Sequence, residues 1–158
     1  MKKIIPVFIN SIPRPWLIRI SIIFMRFAAI LYRGDRVECP VCQGRFRKFL
    51  PYGYNQVREN VLCPKCLSLE RHRLLWIYMK NRTDFFTARL KVLHVAPEQC
   101  FYRIFRNMKN LVYLTADLGS PLADVRIDVQ DMPFSDDEFD VVICNHVLEH
   151  VPDDRKAL

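Results

Sequence analysis

Four cysteines in two closely spaced pairs constrain the fold of this chain more than any other feature. The first pair is Cys39-Pro-Val-Cys42 and the second is Cys63-Pro-Lys-Cys66, with 20 residues between the pairs. This spacing is typical of structural zinc sites, in which each pair lies on a tight turn so that its sulfurs converge. We therefore expect one structural Zn²⁺ on Cys39, Cys42, Cys63 and Cys66, with no open position for chemistry. Chance cysteines or a redox pair are the alternatives.

The remaining cysteines, Cys100 and Cys144, are expected in the core or in a cleft. Six cysteines in a secreted chain of 158 residues would indicate disulfides. However, no small-residue cleavage site follows the apolar N-terminal stretch, and four of the six cysteines have a metal spacing. We therefore expect a cytoplasmic protein with reduced thiols.

The segment between the cysteine pairs combines basic and aromatic side chains. They are Arg45, Phe46, Arg47, Lys48, Phe49, Tyr52, Tyr54 and Arg58. Such a mixture is common on nucleic-acid-binding surfaces. A metal-bound ribbon of this size also needs a core of its own, which the aromatic residues could supply while the charges stay solvated. We favour the core interpretation and keep RNA contact through the basic ribbon as the alternative.

Charge divides the chain into a basic and an acidic part. Residues 1–90 hold 17 Lys and Arg against 5 Asp and Glu, whereas residues 91–158 hold 7 against 12. Basic modules commonly meet phosphate, in nucleic acid or on a lipid surface, although the two parts could instead attract each other. We predict a basic apolar helix within 1–33, and a zinc ribbon with a following helix over 34–82. Ser68 is the predicted N-cap of that second helix.

The N-terminal segment is both apolar and basic. Residues 16–32 contain neither Gly nor Pro, which permits a helix of about four to five turns. Arg19, Arg26 and Arg33 recur every seven residues, so they share one helical face, and two central arginines disfavour a membrane-spanning helix. An arginine stripe on an apolar helix suits the plane of a membrane interface. Two interpretations stay open: peripheral contact of residues 14–33 with the inner membrane surface, or packing on the protein with the arginines in solvent.

After residue 90 the hydrophobic pattern changes to short runs rich in Val, Ile and Leu. These runs predict four strands, at residues 91–96, 111–117, 125–129 and 139–145. The stretch 100–108 is compatible with a helix, and residues 146–151 should begin another. Continuous apolar strands are typical of a buried parallel sheet. The predicted fold class is therefore α/β.

A family resemblance becomes specific in the last third of the chain. The stretch DVRIDVQDMPFSDDEFDVVICNHVLEHVPDD, at residues 124–154, resembles class I S-adenosylmethionine-dependent methyltransferases of the type 11 group. An acidic residue, a Met-Pro-Phe turn, a Phe-Asp strand entry and a Leu-Glu-His helix start follow one another as in that family. The resemblance covers residues 91–158, and the preceding CPVCQGRF and CPKCLSLERHRLLW are similar to members with an N-terminal zinc ribbon. It implies the N-terminal half of a Rossmann-like domain that transfers a methyl group from S-adenosyl-L-methionine to an unidentified acceptor.

The resemblance also implies which residues bind the cofactor. In open parallel sheets, ligands lie beyond the carboxyl ends of the strands. Asp117 ends the second predicted strand, where an acid can accept both ribose hydroxyls. By resemblance, Asp128 accepts from the adenine amino group, and the Val129 backbone lies close to the ring. Asn145 and His146 should line the methyl-transfer cleft, with His146 as the candidate general base.

The loop after the first predicted strand departs from the family. A glycine-rich turn is expected there, whereas this chain has Leu93-His-Val-Ala-Pro-Glu98. A dinucleotide would lose its pyrophosphate cradle, but S-adenosyl-L-methionine carries no phosphate. We expect His94, Ala96 and Glu98 to belong to the cofactor site. Glu98 would pair with the methionine ammonium group, in place of the acid that the family has at the position of His94.

Alternatives to this function remain. One is an inverted zinc protease, whose H-x-x-E-H motif is matched by His146, Glu149 and His150, although a third metal ligand is not evident. A metal held by these residues within a methyltransferase is a further alternative. The chain could be a non-catalytic zinc-ribbon binding module on a degenerate Rossmann domain, or an RNA methyltransferase whose ribbon docks the RNA. Only four strands are recognisable where the family uses seven, so we expect residues 1–158 alone to be catalytically incomplete.

Overall fold

The computed structural model describes Trp16, Ile20, Met25, residues 27–53 and residues 56–157. The chain divides into two compact units, Met1–Leu74 and Leu75–Leu158. The division falls inside a helix, away from the domain bounds expected above, and those bounds stay a prediction.

The first unit contains two antiparallel pairs of short strands. They are β1 (Arg33–Glu38), β2 (Arg45–Phe46), β3 (Leu50–Tyr52) and β4 (Arg58–Leu62). β1 pairs with β2, and β3 pairs with β4. At the end of β3, Gly53 has a φ of +151°, and a Cβ there would lie 2.0 Å from the carbonyl oxygen of Gln56, so only glycine fits. The first cysteine pair lies between β1 and β2, and the second follows β4.

The small core of this unit is partly aromatic. Phe46 and Phe49 are buried, and their ring centroids lie 6.2 Å apart. Val61 is buried as well, and the guanidinium of Arg73 lies 4.3 Å above the ring of Phe49. Both phenylalanines therefore have the core position that we favoured. Tyr54 lies outside the described residues, and RNA contact by the ribbon stays a prediction.

Part of the predicted N-terminal helix can be described. Its described members, which are all helical, are Trp16, Ile20, Met25 and residues 27–31. Arg19 and Arg26 lie outside the described residues. Met25 and Ala28 are buried, whereas Phe27 and its neighbours Ile30 and Leu31 are exposed. In the part of the chain that the structure describes, none of the helices combines the length and the hydrophobicity needed to cross a bilayer.

The helix after the second cysteine pair begins later than predicted. This helix, α1, spans Glu70–Arg82. Leu67 adopts a φ of +65°, which is incompatible with a right-handed helix. The hydroxyl of Ser68 does not cap it but lies among the cysteine sulfurs, and Nδ1 of His72 accepts a hydrogen bond of 3.1 Å from the Leu69 N–H. The N-cap prediction for Ser68 was wrong because this residue closes the cysteine turn.

The second unit is built on four parallel strands. Its elements are β5 (Leu90–Val95), α2 (Gln99–Arg106), β6 (Leu111–Asp117), β7 (Val125–Arg126), β8 (Val141–Cys144) and short 3-10 helices at Leu148–His150 and Asp154–Ala157. The strand order is β7-β6-β5-β8, and each adjacent pair is parallel. The α/β class and the partial Rossmann-like sheet predicted from the sequence are confirmed.

Two strands are shorter than predicted, and pairing explains the difference. β7 pairs only with the end of β6, where Arg126 lies opposite Asp117. β6 ends at Asp117, so residues 127–129 have no partner and leave the sheet. β8 ends at Cys144, opposite Val95 of β5. The carboxyl ends of all four strands therefore meet at one edge.

The side chains of β5 alternate between two differently packed faces. Leu93 and Val95 lie in a core with Ala116 and Val129. His94 points to the opposite face, as the strand period requires, and its ring lies 6.2 Å from the ring of Phe105 in α2. A fully buried histidine is thus held between the sheet and α2.

A polar cluster joins β6 to the segment before β7. Asp124 accepts hydrogen bonds from the backbone N–H of Thr115 at 3.0 Å and from its hydroxyl at 2.8 Å, while Arg106 donates two at 2.5 and 2.6 Å. Burial raises the pKa of Asp124, but the hydrogen bonds from Arg106 and Thr115 outweigh this and lower the pKa below its usual value. Asp124 thereby fixes the connection that leads to Asp128.

Candidate functional site

The four cysteines of the predicted metal site converge in the structure. Their sulfur atoms all lie within 4.8 Å of one another. Sγ of Cys39 is 3.6 Å from that of Cys66, and Sγ of Cys42 is 3.7 Å from that of Cys63. These distances are too long for a disulfide, whose sulfurs lie about 2.05 Å apart. They match the edges of roughly 3.8 Å expected in a tetrahedron with zinc–sulfur bonds of about 2.3 Å.

The two cysteine turns have the same backbone hydrogen bonds. In the first, the Gln43 N–H donates to the carbonyl of Cys39 at 2.7 Å, and the Cys39 N–H donates to that of Gly44 at 2.9 Å. In the second, the Leu67 N–H donates to Cys63 at 3.1 Å, and the Cys63 N–H donates to Ser68 at 2.9 Å.

The residue after the second cysteine of each pair has a left-handed backbone, with φ of +55° at Gln43 and +65° at Leu67. Two non-glycine residues are thus held in an unfavourable conformation at equivalent places. This repetition indicates two matched turns that present their sulfurs to one centre.

Ser68 extends the cysteine centre by one buried hydroxyl group. Its Oγ lies 3.2 Å from the sulfurs of both Cys39 and Cys66, and the residue is fully buried. Hydrogen bonds from the other three thiols lower the pKa of Cys39, and the hydrogen bond with Cys39 raises the pKa of each of those three. The four thiols therefore do not ionise independently of one another. A divalent cation is the partner that permits more thiolates in so small a volume.

The second unit brings most of the predicted cofactor residues to the carboxyl edge of its sheet. A cavity of about 290 Å³ lies there and is lined by Ala96, Asp117, Asp128, Val129 and His146. These residues follow or end β5, β6, β7 and β8, so the topology collects them from distant parts of the sequence. The volume is at the lower end of the range for small-molecule sites, about 300–1,000 Å³.

Two larger cavities border other parts of this unit, although Asn145 lines one of them and Val129 lines the other. One, of about 350 Å³, borders β8 and the C-terminal part of α1, and the other, of about 440 Å³, is lined largely by residues 129–139. Size alone does not identify the site. The 290 Å³ cavity collects residues at or just after the ends of all four strands, together with the predicted carboxylates of Asp117 and Asp128.

Both acids at this cavity have one fixed carboxylate oxygen. Oδ1 of Asp117 accepts from the backbone N–H groups of Gly119 at 2.7 Å and of Ser120 at 2.6 Å. Oδ1 of Asp128 accepts from the N–H of Gln130 at 2.9 Å. Among the residues that the structure describes, no hydrogen bond involves Oδ2 of either acid. Each carboxylate is therefore oriented by its own turn and keeps acceptor capacity for a ligand.

The other three predicted cofactor residues are not among those that line this cavity; they form a hydrogen-bonded group of their own. Nε2 of His94 lies 2.6 Å from Oε2 of Glu98, and the side-chain amide of Asn145 donates to Oε1 of Glu98 at 2.9 Å. Nδ1 of His94 lies 2.7 Å from the hydroxyl of Tyr113. His94 is completely buried, and the side chain of Glu98 is 16% exposed.

The chemistry of these groups fixes the direction of the hydrogen bonds. An ionised carboxylate only accepts, so Nε2 of His94 donates to Glu98 and, in the neutral imidazole, Nδ1 accepts from Tyr113. Burial, followed by the negative charge of Glu98, raises the pKa of Tyr113, which keeps its hydroxyl proton in place. Glu98 is thus a mostly buried carboxylate with a donor on each oxygen.

The structure arranges His146 differently from the expectation. Residues 146–151 do not begin an α-helix: His146 has a φ of +54°, and only a 3-10 turn at Leu148–His150 follows before the extended Val151 and Pro152. Nδ1 of the exposed His146 lies 2.6 Å from Oε1 of Glu149, and it is the donor when this carboxylate is ionised. Among the described residues, the four cysteines form the one cluster close enough to hold a metal, so His146, Glu149 and His150 are not brought together as ligands.

Sequence reasoning missed two residues of these sites, Tyr113 and Ser68. Tyr113 is two positions before Thr115, which lies opposite His94 in the parallel ladder. The strand period therefore puts Tyr113 on the same face as His94, and this could have been inferred once the two strands were paired. Ser68 gave no such signal, because its place among the sulfurs depends on the left-handed turn at Leu67.

Residues 111–158 match the family model of the "Methyltransferase domain", which covers less than a third of the chain. The matched segment runs from β6 to the end and includes Asp117, Asp128, Asn145 and His146. With the parallel sheet, it confirms the resemblance to class I S-adenosylmethionine-dependent methyltransferases and supports methyl transfer from S-adenosyl-L-methionine in general. It does not include β5, the loop to Glu98 or the cysteine cluster. No curated protein and no solved structure matches the chain.

Proposed function

We propose that this chain contributes the cofactor-binding part of an S-adenosylmethionine-dependent methyltransferase and carries a structural zinc centre beside it in sequence. The observation that carries the proposal is the 290 Å³ cavity, in which Asp117 and Asp128 face one space inside the segment matched by the family. When bound, the cofactor supplies a methyl group on a sulfonium. The residues of this chain bind and orient it, which is the main contribution that a protein makes to such a transfer.

Each cofactor residue has a role that its contacts support. Asp117, held by two backbone N–H groups, accepts the ribose hydroxyls, and Asp128 accepts from the adenine amino group beside the backbone of Val129. Glu98 offers its negative charge to the methionine ammonium group, with His94 and Asn145 as its positioning residues. Ala96 replaces a glycine of the loop and adopts a φ of +50°.

His146 is the candidate general base for the acceptor. It lines the cavity and is half-exposed, so an acceptor can reach it from solvent. Its partner Glu149 would orient the ring and stabilise the protonated imidazole. The acceptor itself, and RNA as one class of acceptor, are left to experiment.

Calorimetric titration of the purified chain with S-adenosyl-L-methionine and S-adenosylhomocysteine tests the cofactor site. Asp117→Asn should weaken both ligands at least tenfold, because a ribose hydroxyl pair loses its charged acceptor. Asp136→Asn is the matched control, since Asp136 is an exposed acid of the same unit that does not line this cavity. Absence of binding to the wild-type chain, or equal binding by both variants, would contradict the assignment.

The four cysteines fit a structural Zn²⁺ because two matched turns bring their sulfurs within 4.8 Å of one another, with two of the separations, 3.6 and 3.7 Å, close to a tetrahedron edge. All six cysteines are free thiols, which fits our proposal of a reducing, cytoplasmic location. Elemental analysis of the purified chain should give one zinc per molecule. A value of zero, or of two, would contradict the proposed centre.

A further inference from the structure

The helix that precedes β1 exposes an apolar surface to solvent. Residues 27–31 are helical, and Phe27, Ile30 and Leu31 are 65%, 72% and 69% exposed. These three positions are spaced by three and four residues, so their side chains are neighbours on one helical face. Met25 and Ala28 are buried, so the helix is apolar both towards the protein and towards solvent. An ordinary surface helix carries polar residues on its outer face.

The same pattern recurs nearer the N-terminus. Trp16 and Ile20 are also helical and are more than half exposed. In sequence, Ile20 follows Trp16 by four residues and Leu31 follows Phe27 by four residues, which is the spacing of neighbouring side chains on a helix. We call Trp16, Ile20, Phe27, Ile30 and Leu31 the exposed apolar face.

Positive charge accompanies this face. The exposed Arg47 donates from its guanidinium to the carbonyl of Leu31 at the end of the helix, and the exposed Arg33 follows directly. The first 34 residues contain six Lys and Arg and no acidic residue. From residue 27 to residue 74 the chain has nine basic and four acidic residues, and three of those acids already pair with arginines.

We propose that the exposed apolar face binds the surface of a bilayer that contains anionic lipids. Apolar side chains enter the boundary between headgroups and acyl chains, while neighbouring arginines reach the phosphate level through their long stems. The excess of positive charge favours anionic over neutral lipid. RNA fits this surface less well, because three of its five side chains are aliphatic and cannot stack on bases, and the ribbon aromatics Phe46 and Phe49 are buried. The proposal is independent of the methyltransferase function.

Vesicle flotation with the full chain tests this proposal. The probes are vesicles of phosphatidylcholine alone and of phosphatidylcholine mixed with phosphatidylglycerol. We expect binding to the mixed vesicles, weaker binding at high salt, and little binding to phosphatidylcholine alone. Ile30→Asp should lower partitioning into the mixed vesicles by about tenfold or more, because it places a charge where an aliphatic side chain would enter the bilayer.

Leu74→Asp is the matched control. Leu74 is 70% exposed and also helical, but it lies outside the exposed apolar face. This variant should bind mixed vesicles like the wild-type chain, and both variants should keep the metal content of the wild type. Equal binding to both kinds of vesicle, or unchanged binding by Ile30→Asp, would overturn the proposal. The proposal would also be overturned if the chain bound no vesicles but bound an RNA oligonucleotide with an affinity that falls steeply with salt.

Discussion

Replacing Glu98 with Gln removes one negative charge from the hydrogen-bonded group that follows β5 and keeps the size of the side chain. In the folded chain this carboxylate accepts from the buried His94 at 2.6 Å and from Asn145 at 2.9 Å. The amide oxygen of Gln can still accept from His94, and the amide of Asn145 can rotate to present its oxygen. No buried donor is orphaned, so only the charge-assisted part of the bonds is lost. We expect the free energy of unfolding to fall by about 1 kcal/mol.

The effect on cofactor binding should be larger than the effect on stability. Two opposite charges about 4 Å apart interact by about 4 kcal/mol at an effective dielectric constant of 20. Part of this is offset by the desolvation of the ammonium group and of Glu98, whose side chain is only 16% exposed. A remaining loss of about 1.4 kcal/mol corresponds to a tenfold weaker affinity. We therefore expect Glu98→Gln to weaken S-adenosyl-L-methionine by at least about tenfold.

A second ligand separates the role of Glu98 from a general disturbance of the cavity. 5′-Methylthioadenosine has the nucleoside but lacks the amino-acid part with its ammonium group. Calorimetry should show that Glu98→Gln weakens S-adenosyl-L-methionine but changes methylthioadenosine binding less than about twofold, while Asp117→Asn weakens both. Equal weakening of both ligands by Glu98→Gln would mean that Glu98 supports the cavity rather than the ammonium group. Unchanged binding of S-adenosyl-L-methionine would refute the assignment directly.

Three further predictions concern the metal centre and the sheet. Cys63→Ser should lower the zinc content well below one ion per chain and unfold the first unit, which would appear as a loss of near-ultraviolet circular dichroism. The control Cys100→Ser should keep one zinc per chain. Ser68→Ala should weaken zinc by about tenfold in competition with a chromophoric chelator, because the sulfurs lose a buried hydroxyl; an unchanged affinity would contradict this. Asp124→Ala should lower the free energy of unfolding by about 1–3 kcal/mol, because the backbone N–H of the buried Thr115 loses its acceptor, whereas the Thr115 hydroxyl can still donate to the carbonyl of Leu122. The folded state lowers the pKa of Asp124, so the carboxylate contributes to the free energy of unfolding at pH values above its unfolded pKa of about 3.9, and this contribution is lost as the pH falls through the folded pKa. Urea titrations in this acidic range should therefore show a larger loss of stability for the wild type than for Asp124→Ala.

Features that depend on local spacing were predictable from the sequence. The two cysteine pairs converge as their spacing requires, because each C-x2-C turn is closed by its own backbone hydrogen bonds. β6 spans Leu111–Asp117 as predicted, because this mostly apolar run pairs with β5 from Leu111 to Ala116 and with β7 at Ala116 and Asp117. Asp117 and Asp128 reach one cavity because both follow strands of a parallel sheet, whose carboxyl ends share an edge.

Features that depend on a left-handed residue could not be predicted. Gln43, Leu67, Ala96 and His146 all have positive φ without being glycine. Each departs from the preference of its residue type, so the surrounding contacts must select the conformation. At His146 this backbone prevents the helix that the Leu-Glu-His pattern indicated. At Leu67 it delays α1 and turns Ser68 towards the sulfurs.

The loop from His94 to Glu98 shows how these two kinds of feature combine. A glycine is expected after β5 because the backbone there turns left-handed, and Ala96 does adopt a φ of +50° despite its side chain. Its N–H still donates to the carbonyl of Ala116 at 2.8 Å, so the sheet extends to the turn and holds it. The acid that the family places in β5 is absent, yet Glu98 returns a carboxylate to the same edge by bonding to the histidine that replaced it. A loop without glycine therefore fits our proposal of a phosphate-free cofactor better than it fits a dinucleotide, whose pyrophosphate needs a glycine-rich cradle.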